Sequence, residues 1–213
     1  HVQISLRQNT TTHRIRCFNI GQAAMDQLFE ILRMDAGMAK EIASAPDEPH
    51  VHDFEELIVG VKGILEHFVD FKSGTVEAPL VSFIAKGKVH RVVTKLQDGS
   101  FDMWVLRFKS EFIAETIFQL YNSFHNNADQ VLKTGTCFDR LNSICVMIDQ
   151  EMKQSAPDLS IVRHLLSALF IMIDAERRKH SSTEDTGNQV QNETFVNFLR
   201  ILEDNFRRPL GVE

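Results

Sequence analysis

Three imidazoles and a carboxylate fall close together in this chain: His50, His52 and Glu56 in Pro49-His50-Val51-His52-Asp53-Phe54-Glu55-Glu56, then His90 in Gly87-Lys88-Val89-His90. Neutral imidazole nitrogen and carboxylate oxygen suit borderline divalent metals such as iron, manganese, nickel or zinc, and such a set on a barrel wall leaves coordination positions open for a substrate. The same side chains can instead line an organic-ligand pocket or satisfy one another as a polar network. Ligand identity alone does not choose between these, because orientation and outer partners decide whether a metal is held. On an extended strand side chains alternate, so His50, His52, Phe54, Glu56 and Ile58 are expected on one face. The candidate ligand-binding residues are therefore His50, His52, Phe54, Glu56 and His90, and a metal would take His50, His52, Glu56 and His90. No catalytic residue is assigned, since the chain lacks a Gly-x-Ser-x-Gly elbow and a glycine-rich phosphate loop.

Other chemistry-bearing residues carry less. His13, His67, His125, His164 and His180 are scattered without metal-ligand spacing and read as ordinary surface or hydrogen-bonded histidines. Trp104, Phe68 and Phe83 read as core, because aromatics bury large apolar areas. Arg177, Arg178 and Lys179 complement the dipole at a helix C-terminus. Cys17, Cys137 and Cys145 form no Cys-x-x-Cys pair, so neither a disulfide framework nor a thiolate zinc site is expected.

The elements that must position the histidines are short strands. Leu57 to Val61, Ile64 to Phe71, Leu80 to Ala85, His90 to Val93 and Phe101 to Phe108 are apolar runs separated by turns containing Gly63, Gly74, Gly87 and Gly99, a pattern that favours a sandwich or barrel. Ahead of them, Ala24, Leu28, Ile31 and Leu32 predict a helix from Gln22 to Asp35 closed by Gly37. After Ser110 the period changes to helical, over Glu111 to Phe124, Phe138 to Lys153 and Asp158 to Lys179, with Leu141, Ile144, Cys145 and Ile148 as one stripe. The last of these is apolar nearly all round between Ile161 and Ile173, so another surface must cover it, either a second subunit or the rest of the chain. His180 to Glu193 is polar and aperiodic and reads as a linker. Phe195, Phe198, Leu199, Leu202 and Phe206 then start a further helix, expected to open a domain that continues past Glu213.

The bulk numbers bound the class. A chain of 213 residues, 43% hydrophobic and 24% charged, can bury a real core. Its formal charge of −6 argues against phosphate gripping by this chain alone. No apolar run approaches the roughly 20 residues of a membrane-spanning helix. A cytoplasmic location and no membrane partner are the expectations.

The spacing from His50 through His52 and Glu56 to Gly63 is similar to the first metal-binding motif of the cupin superfamily. Gly87 and His90 match part of its second motif, while Pro79, Ala85 and Thr94 depart from it. Pro49 to Ile58 with Lys62-Gly63, and Leu80 to Arg91, also resemble the sensor domain of AraC-family transcriptional regulators, with Glu55 in place of the usual tyrosine. Phe195 to Phe206 resembles the helix leading into that family's DNA-binding region. The resemblance implies an α+β chain: a cupin-type double-stranded β-helix (jelly-roll) barrel over residues 1–110 with an N-terminal arm, a helical dimerisation region over 111–180, a linker over 181–193, and the first helix of a helix-turn-helix domain over 194–213. It implies a small-molecule effector, a homodimer, promoter DNA bound through a C-terminal domain past Glu213, and no cofactor, a divalent metal being the exception left open. The rival expectation is a metal-dependent cupin enzyme, a dioxygenase or isomerase, using His50, His52, Glu56 and His90.

Overall fold

The computed structural model describes residues 27–46, 48–113, 117–124 and 127–181. The terminal helix and the linker expected beyond residue 181 lie outside the described residues, as do residues 22–26 of the helix expected over 22–35, while His180 and Ser181, expected in the linker, still belong to a helix.

The part of that first segment that is described is a strand. β1 (Phe29–Asp35) pairs antiparallel with β7 (Asp102–Phe108) along its whole length, from Phe29 opposite Phe108 to Asp35 opposite Asp102. The apolar residues Leu28, Ile31 and Leu32 fit a helical stripe as well as they fit a strand, and the long-range pairing with β7 decides in favour of the strand. The helix follows instead: Asp35 caps α1 (Ala36–Ser44) by accepting from the backbone N–H groups of Gly37 and Met38, so Gly37, expected to close a helix ending at Asp35, lies in the first turn of this one.

β2 (Glu55–Lys62), β3 (Ile64–Val69), β4 (Lys72–Glu77), β5 (Leu80–Ile84), β6 (His90–Lys95) and β7 follow in order, and a short β8 (Asp129–Val131) comes later in the chain. They form two antiparallel sheets, one ordered β1-β7-β2-β5-β8 and the other β4-β3-β6. Met34, Ile58, Leu80, Ile84, Met103 and Val105 of the larger sheet meet Leu65 and Val76 of the smaller one in a single buried cluster, so the sheets face each other across a shared core. Two facing antiparallel sheets followed by helices make the α+β fold that was expected. Gly63 links β2 to β3 with φ +123, and a Cβ there would lie 2.4 Å from the Phe101 ring, so both backbone and space demand glycine.

The chain divides into two compact units, the barrel, which ends at Lys109, and a helical unit that starts at Ser110, with residues 129–133 returned to the barrel. Those residues supply β8, which adds to β5 and has no apolar pattern that would have predicted it. The helical unit holds a 3-10 turn at Ser110–Ile113, α2 (Ile117–Phe124), α3 (Thr136–Met152) and α4 (Leu159–Ser181). Leu141, Ile144, Cys145 and Ile148 of α3 are buried as their spacing requires, as are Val162, Leu166, Leu169, Phe170 and Ile173 of α4. Ile161 and Ile171 remain exposed on α4. No described helix is long and apolar enough to cross a membrane.

Candidate ligand-binding site

Strand register builds the charged centre of the barrel. Glu56 of β2 lies directly opposite Arg107 of β7, and the Arg107 Nε donates to Glu56 Oε2 at 2.8 Å with both side chains nearly sealed from solvent. Burial alone would raise the Glu56 carboxyl, but the charges of Arg107, then of His52 and His90, hold it at about 2. Arg107 also lies over the Phe54 ring at 5.3 Å, and His52 stacks on that ring with centroids 4.0 Å apart and only 7° from parallel. Glu55, which stood out in sequence as a replacement for tyrosine, is fully buried and accepts from the Lys86 backbone N–H.

Residues 51–54 are not part of a strand, so the shared face expected of His50 through Ile58 does not arise from one extended run. The cluster forms all the same. His50 reaches it through an isolated bridge in which His50 and His90 exchange both backbone hydrogen bonds, at 3.0 and 2.9 Å. Ring centroids then lie 4.5 Å apart for His50 and His90, 4.7 Å for His52 and His90, and 6.4 Å for His50 and His52. All five expected site residues, His50, His52, Phe54, Glu56 and His90, are thus brought together, with His50 the most exposed of them.

Each imidazole is prepared differently. The Nδ1 of His50 donates to the Glu48 carbonyl at 3.0 Å and that of His90 to the Lys88 carbonyl at 3.4 Å, which leaves each Nε2 with a lone pair when the ring is neutral. Burial pushes His90 down to about 4 despite the opposing pull of Glu56. Burial likewise lowers His52, again against Glu56. His52 is 6% exposed, and neither of its ring nitrogens meets full hydrogen-bond geometry among the described residues, although the Phe54 backbone lies near enough to oppose the downward shift.

His52, Glu56 and His90 each offer a ligand atom within 4.8 Å of the others, whereas His50 is not part of that set. Two uncharged imidazoles and a carboxylate fit a borderline divalent metal by chemistry. The Arg107 guanidinium on the same carboxylate works against a cation there, since it already supplies the neutralising charge.

Sequence reasoning missed Arg107, which carried no motif, and His67, which it set aside as scattered. His67 of β3 is buried, with Nδ1 2.8 Å from Asp129 Oδ1. An open groove of about 290 Å³, whose lining includes His67, Glu66, Phe68, Gly74, Thr75 and Arg91, lies on the smaller sheet and includes none of the five expected site residues.

No protein-family model matches the chain, and no curated protein matches it. Solved structures similar to it include AraC-like regulators and cupin-barrel proteins. Apo ToxT from Vibrio cholerae is 14% identical with a TM-score of 0.47, over 82% of this chain and 66% of that one. The AraC-like transcriptional activator CuxR is 13% identical with a TM-score of 0.42, over 70% of this chain and 48% of that one. A Cupin 2 conserved barrel domain protein from Salinispora arenicola is 17% identical with a TM-score of 0.32, over 47% of this chain and 79% of that one. The chain therefore spans less than two thirds of the length of either regulator.

Proposed function

We propose that this chain is the ligand-sensing part of an AraC-like transcriptional regulator, in which a small molecule bound among His50, His52, Phe54, Glu56 and His90 controls DNA binding by a C-terminal domain. The observation that carries the reading is His52, buried with both ring nitrogens unpartnered by protein among the described residues. An orphaned buried polar group costs about 1–3 kcal/mol, and a site that keeps such a cost is one where a ligand supplies the partner. The sequence pattern from Pro49 through Gly63 supports the family, and the acidic charge fits a chain whose DNA contacts belong to another domain.

Sensing requires a ligand to favour one of two arrangements, since equal affinity for both would switch nothing. The test is promoter binding by the full-length protein with and without cell-extract small molecules, repeated for His52→Phe. Loss of the ligand response with DNA binding retained supports the reading. A response that survives His52→Phe unchanged removes the barrel from sensing.

The grouping of His52, Glu56 and His90 favours one second reading, a metal-dependent cupin enzyme. Elemental analysis of the purified protein separates the two. Stoichiometric metal, lost together with a turnover in His52→Ala, selects the enzyme.

A further inference from the structure

The motif residues leave one sealed imidazole without a role. His67 is 3% exposed, and its Nδ1 contacts Asp129 Oδ1 at 2.8 Å and Ser82 Oγ at 3.2 Å. Ser82 of β5 and Asp129 of β8 are direct cross-strand partners, so strand pairing itself delivers both oxygens to one ring nitrogen. Burial would raise the Asp129 carboxyl, yet the His67 hydrogen bond and charge, with Ser82 behind them, hold it below its ordinary value. An ionised carboxylate only accepts, so Nδ1 carries a proton, and a ring that holds that one proton presents Nε2 as a bare acceptor.

That Nε2 is buried and has no hydrogen-bond partner among the described residues. The ring stands edge-on to His90, with centroids 6.4 Å apart, so it adjoins the cluster already described. His67 and Gly74 also both line the open groove on the smaller sheet. Gly74 lies directly across from His67 on β4, and a Cβ built there meets no atom within 4 Å.

We propose that His67 Nε2 is a ligand-contacting atom of the barrel that accepts a hydrogen bond from a hydroxyl or N–H group of the effector. Asp129 and Ser82 are positioning residues that fix the tautomer. The inference rests on the sensing reading and adds to it the chemistry of the molecule sensed: a neutral hydrogen-bond donor at its His67 end.

Phenol and anisole are the probes, alike in ring and differing in one donor. The chain with isotope-labelled histidine is titrated with each and followed by long-range proton–nitrogen correlation of the imidazoles. Phenol is expected to shift the His67 Nε2 resonance and to bind about ten-fold tighter than anisole, the worth of one hydrogen bond. Asp129→Asn is expected to change the His67 tautomer signature and abolish the preference. Gly74→Leu, which fills the adjoining space without removing a polar group, is expected to weaken both probes and serves where Asp129→Asn does not fold. If phenol moves His52 or His90 while His67 Nε2 stays still, or if the two probes bind alike, the proposal falls and the sensing reading stands. If neither probe moves any of the three imidazoles, both fall.

Discussion

A buried charge is tolerable only while its partner is present, and Glu56 and Arg107 are partners of that kind. Arg107→Met removes the guanidinium and strands Glu56 in the barrel, which should cost about 3–5 kcal/mol in urea unfolding. The double variant Arg107→Met with Glu56→Leu should recover most of it, and equal losses in the two would show that the pair is not coupled. Protonation acts on the same cluster. His90 titrates near 4 in the fold against an ordinary 6.5, so between those values the unfolded chain binds a proton that the fold refuses. Its contribution is complete above 6.5 and lost as pH falls towards 4, amounting to about 3 kcal/mol. Glu56 works in the same direction lower down, losing its contribution from 4.5 towards 2. The urea midpoint should therefore fall steadily with acidification through the range of His90, and His90→Gln should flatten that slope. A wild-type midpoint independent of pH there would show that His90 is not held neutral by burial.

Between β2 and β3, Gly63 combines a left-handed backbone with a Phe101 ring where a Cβ would be. Gly63→Ala should destabilise by about 1–3 kcal/mol from backbone strain, with a further loss as Phe101 is displaced. Gly74→Ala, on an open edge strand with space around it, should change stability by a few tenths at most. Comparable losses in the two would mean that neither the Gly63 backbone nor the Phe101 ring resists the added methyl group. This glycine was legible in the sequence because it closes the histidine motif, and so were β2, β3, β5, β6 and β7, whose apolar runs end at turn residues. β4 was not: Lys72-Ser73-Gly74-Thr75 faces solvent on an edge, only Val76 is buried, and nothing apolar alternates along it. β8 spans three residues, too few for any period, and exists through its pairing with β5. The site divides the same way. His50, His52, Phe54 and Glu56 lie within one short segment and could be read together. Arg107 is separated from Glu56 by 51 positions and Asp129 from His67 by 62, so only the strand register reveals them.

At the scale of the molecule, the barrel carries the candidate site and a separate helical unit follows it. In a regulator that acts as a pair, the helical unit must present a surface to a second copy, and of the exposed isoleucines of α4, Ile161 and Ile171, the second is the more exposed. Ile171 is 58% exposed although its neighbours Leu169, Phe170 and Ile173 are buried within the unit. Burying one such side chain is worth about 1.5–3 kcal/mol, and a two-fold contact uses it twice, so its replacement by a charge acts on pairing far more than on folding. Ile171→Lys should convert a dimer to a monomer in sedimentation equilibrium while leaving the thermal unfolding of the isolated subunit nearly unchanged. A dimer that persists in the variant would assign pairing to another surface. A wild-type chain that sediments as a monomer at all concentrations would remove pairing from this part of the protein.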